Sequence, residues 1–411
     1  MRHVIVGLLL VTATVLHAED WVRFRGPNGQ GISNEKNLPL KWSNSQNVAW
    51  KTPIPGKGWS SPIVYRNRIF LTTTTEKGVS CRVVCVNRVT GKVEWNTEVH
   101  RQKPGHKRRQ NSYATSTPVT DGKRVYAVFY DGTAVAVDFT GKRVWKCEAV
   151  RHHSVHGLGA SPIIANGMLI MPYDGSSRKS ARVGFKIPWK NAVILGLDLE
   201  TGDVRWRGKR GLSRVGHVTP ILINKGQHFV SAGGDRVQAH DVTTGKRIWS
   251  IYSKGEGVTP SPVLGEGLLF TSSGFESPTI RAIRLGGKGD VTDTHIKWEL
   301  KKGVPALASF IYLKPLLYTI TRDNILHCIK ASTGKIVWKK RLKGVHSASP
   351  VLVDGRIYIT NEDGVTLIIR PGAKYDLIGK NDLEERVLAS FAVSQGHFYV
   401  RSSKHLFSIG K

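Results

Sequence analysis

The chain has 411 residues, 40% of them apolar and 22% charged, which is enough apolar material for a large core and excludes a protein built from membrane spans. Its formal net charge of +31 at pH 7 predicts a field that attracts anions. Length alone predicts two or three domains, unless the chain is one repeat array, because a propeller grows by adding blades around an axis.

The order of the first 18 residues is typical of a secretory signal peptide. Arg2 precedes an apolar run over residues 4–16, and the small residue Ala18 precedes Glu19. The run is shorter than the roughly 20 residues needed to cross a bilayer, and no cysteine near Ala18 offers a thiol for a lipid anchor. We expect cleavage near Ala18 and an exported protein, periplasmic or extracellular, that is soluble, monomeric and without a transmembrane span.

Four cysteines are few for an exported protein, and their spacing argues against a disulfide framework. Cys81 and Cys85 lie four residues apart on a predicted strand, roughly 13 Å at about 3.3 Å per residue, which is beyond the reach of a disulfide. Cys85 and Cys328 also occupy matching positions of a repeat. We therefore expect small buried thiols.

One sequence phrase recurs along the chain: Thr-Gly-Lys or a close variant, followed by a tryptophan. Residues 85–95 and 328–338 contain it in full, the turn is stretched at 286–294, and the phrase decays at 371–375. A tryptophan at the same place in nearly every repeat offers a flat apolar surface to the next repeat, so we interpret these residues as docking residues rather than ligand stackers. They are Trp95, Trp145, Trp206, Trp249, Trp298 and Trp338.

A second phrase, a Ser-Pro or similar pair that opens an apolar strand, precedes each Thr-Gly phrase. Its eight occurrences are 40 to 58 residues apart, close to the roughly 40 to 50 residues typical of a four-stranded propeller blade. Strand-like alternation without a long helical period supports this interpretation. The predicted fold class is all-β, an eight-bladed β-propeller of four-stranded antiparallel blades. The eight pairs begin at Ser61, Thr117, Ser161, Thr219, Ser261, Ser309, Ser349 and Ser390.

The two ends of the chain complete each other. The unit that begins at Ser390 stops at Lys411 before a fourth strand, and residues 47–51 supply a strand with a docking residue, Trp50, but no preceding strands. We predict that this N-terminal strand closes the ring and removes both sheet edges. The expected organisation is a signal peptide at 1–18, an N-terminal extension at 19–46, and one propeller at 47–411 with a blade 3 insertion at about 174–191.

The phrase Ala-x-Asp-x-x-Thr-Gly-x-x-x-Trp resembles the tryptophan-docking motif of the pyrroloquinoline-quinone (PQQ) repeat family, and the resemblance covers almost the whole mature chain. That family includes quinoprotein dehydrogenases and BamB-like assembly factors, which are not enzymes. The opening segment 21–27 is similar to exported PQQ-repeat proteins of planctomycete-type bacteria. The resemblance implies the propeller fold and says little about function, because site chemistry is grafted onto folds.

The linkers between blades are expected to share one face of the ring with the loops between second and third strands, and the Thr-Gly turns lie on the other face. On this loop face, segments 100–112, 174–191 and 207–216 are heavily basic, which predicts an anion-binding site. The ligand could be a polyanion, such as an acidic polysaccharide or a lipid headgroup, or it could be PQQ itself. Alternatively, the charge only keeps the protein soluble and binds no specific ligand. Nucleic acid is disfavoured, because no recognised binding module is present. The candidate anion-binding residues are Arg108, Arg109, Arg178, Arg182, Arg210, Arg214 and His217.

Histidines cluster at His152, His153 and His156. This spacing lacks the helix and the glutamate of a zinc-protease motif, so we expect solvated or anion-facing histidines and assign no metal ligand. Acidic residues in the turns of the loop face, among them Glu362, are interpreted as structural, and no calcium ligand is assigned.

The leading hypothesis is a non-catalytic binding or scaffold propeller for an anionic ligand or a protein partner. The dehydrogenases that share the motif carry a vicinal cysteine pair at the cofactor, and no two cysteines are adjacent here. Haem-attachment, P-loop and nucleophile-elbow motifs do not occur, and no catalytic residue is assigned. The alternative is a PQQ-dependent oxidoreductase acting on an alcohol or a sugar, with calcium, in which Trp59 stacks on the cofactor.

Overall fold

The structure, a computed structural model, describes residues 19–175, 191–212, 215–253, 259–274 and 277–411. The predicted signal peptide and nearly all of the predicted blade 3 insertion lie outside these residues. The described chain forms eight successive sheets, each with four antiparallel strands, and two of the sheets carry a short fifth strand. The predicted eight-bladed propeller is confirmed.

Two short strands precede the blades: β1 (Ile32–Ser33) and β2 (Val48–Pro53). Blade 1 contains β3 (Ile63–Tyr65), β4 (Arg68–Thr75), β5 (Ser80–Asn87) and β6 (Val93–Arg101). Blade 2 contains β7 (Val119–Thr120), β8 (Arg124–Val128), β9 (Ala134–Asp138) and β10 (Arg143–Cys147). Blade 3 contains β11 (Ile163–Ala165), β12 (Met168–Tyr173), β13 (Val193–Asp198) and β14 (Val204–Lys209).

Blade 4 contains β15 (Ile221–Ile223), β16 (His228–Gly233), β17 (Arg236–Asp241) and β18 (Arg247–Tyr252). Blade 5 contains β19 (Val263–Gly265), β20 (Leu268–Ser273) and β21 (Thr279–Arg284). Its stretched turn contributes β22 (Gly289–Asp290) to blade 4, and β23 (Ile296–Leu300) completes blade 5. Blade 6 contains β24 (Ile311–Leu313), β25 (Leu316–Ile320), β26 (Ile325–Lys330) and β27 (Ile336–Arg341).

Blade 7 contains β28 (Val351–Val353), β29 (Arg356–Thr360), β30 (Val365–Arg370) and β31 (Asp376–Asp382). Blade 8 contains β32 (Ala392–Ser394), β33 (His397–Arg401) and β34 (His405–Ile409). Helical structure in the described ranges consists of two 3-10 turns, Glu76–Gly78 and Asn224–Gly226, and the short helix α1 (Thr292–His295). Among these described segments, none is long and apolar enough to cross a membrane.

Six docking tryptophans, five of them among the six predicted from the Thr-Gly phrase, each join one blade to the Thr-Gly turn of the next or its equivalent; for Trp249 the contact is a backbone pairing with Gly289 of the stretched turn. The indole N–H of Trp145 donates to the carbonyl of Leu199 at 2.9 Å, and its ring lies under Gly202. A Cβ added to Gly202 would lie 2.6 Å from that ring, so only glycine fits the turn. Equivalent indole hydrogen bonds of 2.9–3.0 Å are made by Trp50, Trp95, Trp206, Trp298 and Trp338.

The ring is closed by the N-terminal strand, as predicted. β2 pairs with β34 in an antiparallel register that places Val48 opposite Ile409 and Trp50 opposite Ser408. The closing strand therefore supplies the fourth strand of blade 8. Pairing the two ends of the chain covers the sheet edges that both would otherwise expose.

The first strands of the blades are linked by a ring of hydroxyl hydrogen bonds around the axis. The serine or threonine that opens each blade lies in this ring, and we call these eight the ring residues. At seven of the eight junctions the backbone N–H of one ring residue donates to the hydroxyl of the next at 2.9–3.0 Å. Buried backbone N–H groups need such partners, and this explains why a hydroxyl residue opens every blade.

Residues 20–35, which we call the N-terminal plug, cross the axis beside the ring. Trp21 pairs with Val64 of blade 1 through two backbone hydrogen bonds of 2.9 Å, and β1 pairs in parallel with β28 of blade 7. Other hydrogen bonds from the plug reach blades 2, 4, 5, 6 and 8. One segment thus links nearly the whole ring.

Two arginines of the plug are almost fully buried. Arg23 donates to the carbonyl of Pro220 at 2.9 Å, and Arg25 donates to the carbonyl of Phe310 at 2.6 Å. Burial lowers the pKa of Arg23 to about 10 and that of Arg25 to about 9. Their charges are desolvated against backbone carbonyls of blades 4 and 6, which fixes the plug to the ring.

The cysteines are free, and Cys81, Cys85 and Cys328 are buried, as predicted. Cys147 is half-buried. Burial raises the pKa of the Cys328 thiol to about 11, so this thiol stays protonated and unreactive at neutral pH.

Candidate ligand-binding cavity

The axis of the propeller holds a cavity of about 640 Å³ on the loop face. All eight ring residues line it, Phe24 of the plug contributes to its floor, and each of the eight inter-blade linkers supplies part of its wall. The ring and the plug therefore separate this axial cavity from the Thr-Gly face. A pocket of this size, lined by the irregular loops of a regular scaffold, is the usual setting of a ligand site.

The wall of the axial cavity is apolar with a few basic groups. Val215, Val304 and Leu388 supply apolar surface, while Arg108 and Arg322 supply the charge. Aspartate and glutamate are absent from its described wall residues. An apolar wall that carries positive charge favours an anion with an apolar body.

Two histidines form an edge-to-face pair in this wall, with the ring centroids of His156 and His217 5.5 Å apart. Burial lowers the pKa of His156 to about 4, and Arg108 and His106 add smaller repulsive effects. Burial also lowers the pKa of His217, with added repulsion from His156 and from His152. Both rings are therefore neutral at pH 7, and each offers one N–H donor and one acceptor.

A second cavity of about 360 Å³ adjoins the first and shares Gln110, Leu307 and Arg322 with it. We call it the vestibule. Arg109 and Arg386 also line it, and the Arg386 guanidinium donates to Glu362. The described lining of the vestibule holds three arginines and one glutamate, so an anion that approaches the axial cavity from this side meets mainly positive side chains.

Four residues predicted from the sequence lie around these two cavities. Trp59, Arg108 and His217 line the axial cavity, and Arg109 lines the vestibule. The Trp59 ring lies 6.0 Å from the Arg386 guanidinium, and its indole N–H is buried without a hydrogen-bond partner. The structure thus brings them into one region, and their roles stay predictions.

Arg210 is not part of this basic region, and its assignment as an anion-binding residue is wrong. Its side chain is fully buried, and its guanidinium donates to both oxygens of Asp174 at 3.0 Å. A third contact, to Gln238 at 2.9 Å, joins this ion pair to blade 4. The guanidinium is thereby committed to holding blades 3 and 4 together. Arg178, Arg182 and Arg214 lie outside the described residues.

The histidine cluster differs from the expectation of solvated side chains. His152 is buried, and its Nε2 lies 3.0 Å from the carbonyl oxygen of Asp174. Its role is to fill the junction between blades 2 and 3 rather than to face an anion. Within the part of the chain that the structure describes, no group of three or more His, Cys, Asp or Glu side chains is arranged to hold a metal ion.

The described part of the axial cavity wall does not supply the ligands that calcium would need to hold PQQ there. Calcium takes six to eight oxygen ligands and relies on carboxylates. The described wall contains none, and Glu362 in the vestibule is already bonded to Arg386 and to the Ser347 hydroxyl. One face of Trp59, the residue predicted to stack on the cofactor, has Arg386 beside it.

Sequence reasoning missed Arg322 and Phe24. Arg322 follows the second strand of blade 6, on the loop face, and its position after a β-strand was a usable signal. Phe24 belongs to the extension before the closing strand, and no repeat marks it. Only the tertiary path of the plug places this ring at the axial cavity.

Comparison with known proteins gives matches along most of the chain. A tetrathionate hydrolase of Acidithiobacillus ferrooxidans is 24% identical over 68% of the chain and 53% of its own length. The outer membrane protein assembly factor BamB of Bordetella pertussis is 24% identical over 60% of the chain and 59% of its own length. The chain therefore spans little more than half the length of these relatives. A europium-containing methanol dehydrogenase shares the fold, with a TM-score of 0.67 and 11% identity over 94% of the chain and 90% of that structure.

The family model described as outer membrane protein assembly factor BamB matches residues 42–208, 189–290 and 311–370. These residues include most strands of the propeller and six of the eight ring residues. Because the match covers well over half of the chain, the protein belongs to this BamB family of PQQ-repeat propellers.

Proposed function

We propose that the protein is a non-catalytic binding propeller whose axial cavity takes a small anionic ligand with an apolar body. One observation carries this proposal: among the described residues, the cavity wall is mainly apolar and its charged side chains are the cations Arg108 and Arg322. Both arginines are exposed, so their positive charge attracts an anion to the cavity, and the apolar wall can receive the body of the ligand.

The vestibule supports the same ligand class. Its arginines lie beside the axial cavity, and they raise the local concentration of anions at its mouth. The tetrathionate hydrolase among the relatives is named for an anion, which agrees with this class of ligand. The net charge of +31 adds a long-range attraction that salt screens beyond about 8 Å at physiological ionic strength.

The test compares two charge reversals on opposite faces. Arg108→Glu with Arg322→Glu changes the cavity wall, and Lys92→Glu with Lys335→Glu changes two exposed lysines of the Thr-Gly face by the same amount. Calorimetry would measure binding of naphthalene-2-carboxylate and of its neutral analogue naphthalene-2-methanol. We expect the wild type to prefer the acid, the cavity variant to lose at least tenfold in affinity, and the control to lose less than threefold.

Equal losses in both variants would show that the charge acts globally and that the axial cavity is not the site. The wild type should also be mixed with PQQ and calcium, and assayed for dye reduction with sugars and alcohols. Turnover in that assay would overturn the non-catalytic proposal and establish the oxidoreductase alternative.

A protein partner is the second candidate, favoured by membership of a family whose name denotes outer membrane protein assembly. The loop face would then present its linkers to the partner. Crosslinking from an introduced cysteine at Gln110, which is exposed beside both cavities, tests this candidate against the same cysteine at Lys92. A crosslinked partner specific to Gln110 would support a scaffold.

A further inference from the structure

The ring of hydroxyl hydrogen bonds has one open junction, between blades 4 and 5. At the seven other junctions each ring hydroxyl accepts the N–H of the preceding blade's ring residue. At this one the Ser261 hydroxyl is buried, and it has no hydrogen-bond partner, so the Thr219 N–H does not reach it.

The open junction is a local feature of a well-formed ring. Thr219 still accepts the Ser161 N–H at 3.0 Å, and Ser261 still donates its own N–H to Ser309 at 3.0 Å. The plug holds both flanking blades, since Gln30 accepts the N–H of Leu264 at 2.8 Å and Arg23 bonds to blade 4. Blades 4 and 5 are therefore in place, and the missing bond leaves two polar groups at the cavity.

More unpaired polar atoms lie on the same side of the cavity. Thr219 and Ser261 both line it, and so does His217, two residues before Thr219. Both ring nitrogens of His217 are buried without a hydrogen-bond partner. A buried polar atom without a partner is unfavourable, so three such atoms in one cavity wall, the Ser261 Oγ and the two ring nitrogens of His217, indicate a place where a ligand completes the hydrogen bonds.

The opposite side of the cavity is suited to an apolar group. An eight-membered ring places blade 8 across the axis from blade 4. Leu388, in the linker that enters blade 8, and Trp59, in the linker that leaves it, both line the cavity there. A ligand that spans the axis therefore meets several donors at one end, and mainly apolar surface with the single indole N–H of Trp59 at the other.

We propose that the open junction between blades 4 and 5 is the subsite that binds the oxyanion head of the ligand. The Ser261 O–H, the Thr219 N–H and one N–H of His217 donate to the head, and the apolar body packs against Leu388 and Trp59. The proposal rests on the anion-binding function above and narrows it to amphipathic acids held in one orientation. A carboxylate head fits this donor set, and sulfonate and phosphate heads share its chemistry.

Two serine variants separate this role from a structural one. Ser261→Ala removes a hydroxyl that bonds to nothing, so we expect an unchanged or slightly higher melting temperature. We also expect five- to tenfold weaker binding of naphthalene-2-carboxylate. Ser408→Ala removes a buried hydroxyl of β34 that lies outside both cavities and 3.0 Å from Nδ1 of His397. This matched control should melt earlier while its affinity for the probe stays within twofold of the wild type.

A further variant, His217→Phe, should also weaken binding of the acid and leave binding of naphthalene-2-methanol unchanged. Naphthalene-2-sulfonate and naphthyl phosphate, measured against the same variants, identify which oxyanion head the subsite prefers. Equal affinity losses in Ser261→Ala and Ser408→Ala would overturn the subsite.

The two proposals fail in different ways. If the wild type binds none of the acids, the anion-binding function itself is wrong. If the acid binds and the Arg108 and Arg322 variant weakens it, but Ser261→Ala and His217→Phe do not, the cavity site stands and the head subsite is wrong.

Discussion

The two faces of the propeller use the same repeat in opposite ways. On the Thr-Gly face, six tryptophans make the same indole hydrogen bond to the next blade at 2.9–3.0 Å. On the loop face, the linkers differ from blade to blade, and they surround the axial cavity with arginines, histidines and apolar residues. The repeated contacts on the Thr-Gly face hold the ring together, and the variable linkers on the loop face form the candidate site.

Because of this difference, the residues that determine stability and the residues that determine ligand binding lie on opposite faces. A change on the Thr-Gly face removes a contact that positions two blades, so its effect should appear in the free energy of unfolding. A change in the wall of the axial cavity should appear in affinity. Arg210 is the exception, since it lies at the loop face and yet belongs to the architecture.

The largest expected effect concerns the closure of the ring by the N-terminal strand β2. Deleting residues 19–54 removes both the plug and β2, which leaves β34 and the opening of blade 1 without their partners. Unpaired edges associate with other chains, so we expect aggregation in size-exclusion chromatography with light scattering. The matched deletion of residues 19–46 keeps β2 and should remain monomeric, with a lower melting temperature. A monomeric 19–54 deletion with unchanged melting would contradict the closure.

Arg210→Met tests whether that arginine belongs to the architecture. Asp174, 4% exposed, would keep a buried charge without its partner, which costs about 3–5 kcal/mol in the free energy of unfolding. The exposed Arg109→Met control should change it by less than about 0.5 kcal/mol. Urea denaturation measures both, and the double variant Arg210→Met with Asp174→Leu should recover most of the loss. Equal stability of the two single variants would return Arg210 to the candidate site.

Repetition decides how much of this molecule can be predicted from its sequence. Trp145 and Gly202 recur with their neighbours in blade after blade, so their docking contact was predictable. Ser261 carries the same Ser-Pro signal as the closed junctions, and nothing in its sequence marks it as unpaired. Arg210 resembles an exposed linker arginine, and its burial depends on Asp174, 36 residues earlier along the chain. A contact that depends on one partner far away in the sequence does not recur in the other repeats, so the sequence pattern does not predict it.

Two glycines with similar backbone conformations test how much tryptophan docking contributes to stability on the Thr-Gly face. Gly202 and Gly267 both have positive φ, 79° and 72°, so alanine strains both by roughly 1–2 kcal/mol. A Cβ at Gly202 lies 2.6 Å from the Trp145 ring, whereas one at Gly267 meets nothing within 4 Å. We expect Gly202→Ala to lose a further 1–3 kcal/mol or so from overpacking, measured by urea denaturation. Equal losses would show that tryptophan docking adds nothing to the turn.

The smallest expected effect is the pH dependence of anion binding in the axial cavity. Burial, then repulsion from Arg108 and His106, lowers the pKa of His156 to about 4 in the absence of a ligand. A bound anion opposes this lowering, because it brings negative charge beside the ring and attracts Arg108. The pKa of His156 in the complex is therefore higher than in the free protein, and the neighbouring His217 responds in the same direction.

The linkage between proton binding and ligand binding then determines whether affinity rises or falls with pH. Between the lower pKa of the free protein and the higher pKa of the complex, the complex holds more protons, so affinity must rise as pH falls through that window. We expect the affinity for naphthalene-2-sulfonate, which stays ionised throughout, to increase about threefold to tenfold from pH 7 to pH 5. His156→Asn should flatten this profile, whereas Lys92→Asn on the Thr-Gly face should leave it unchanged. An affinity that is constant or falls over this range in the wild type would place the anion away from the histidine pair, because repulsion from Arg108 alone does not change with pH in this range.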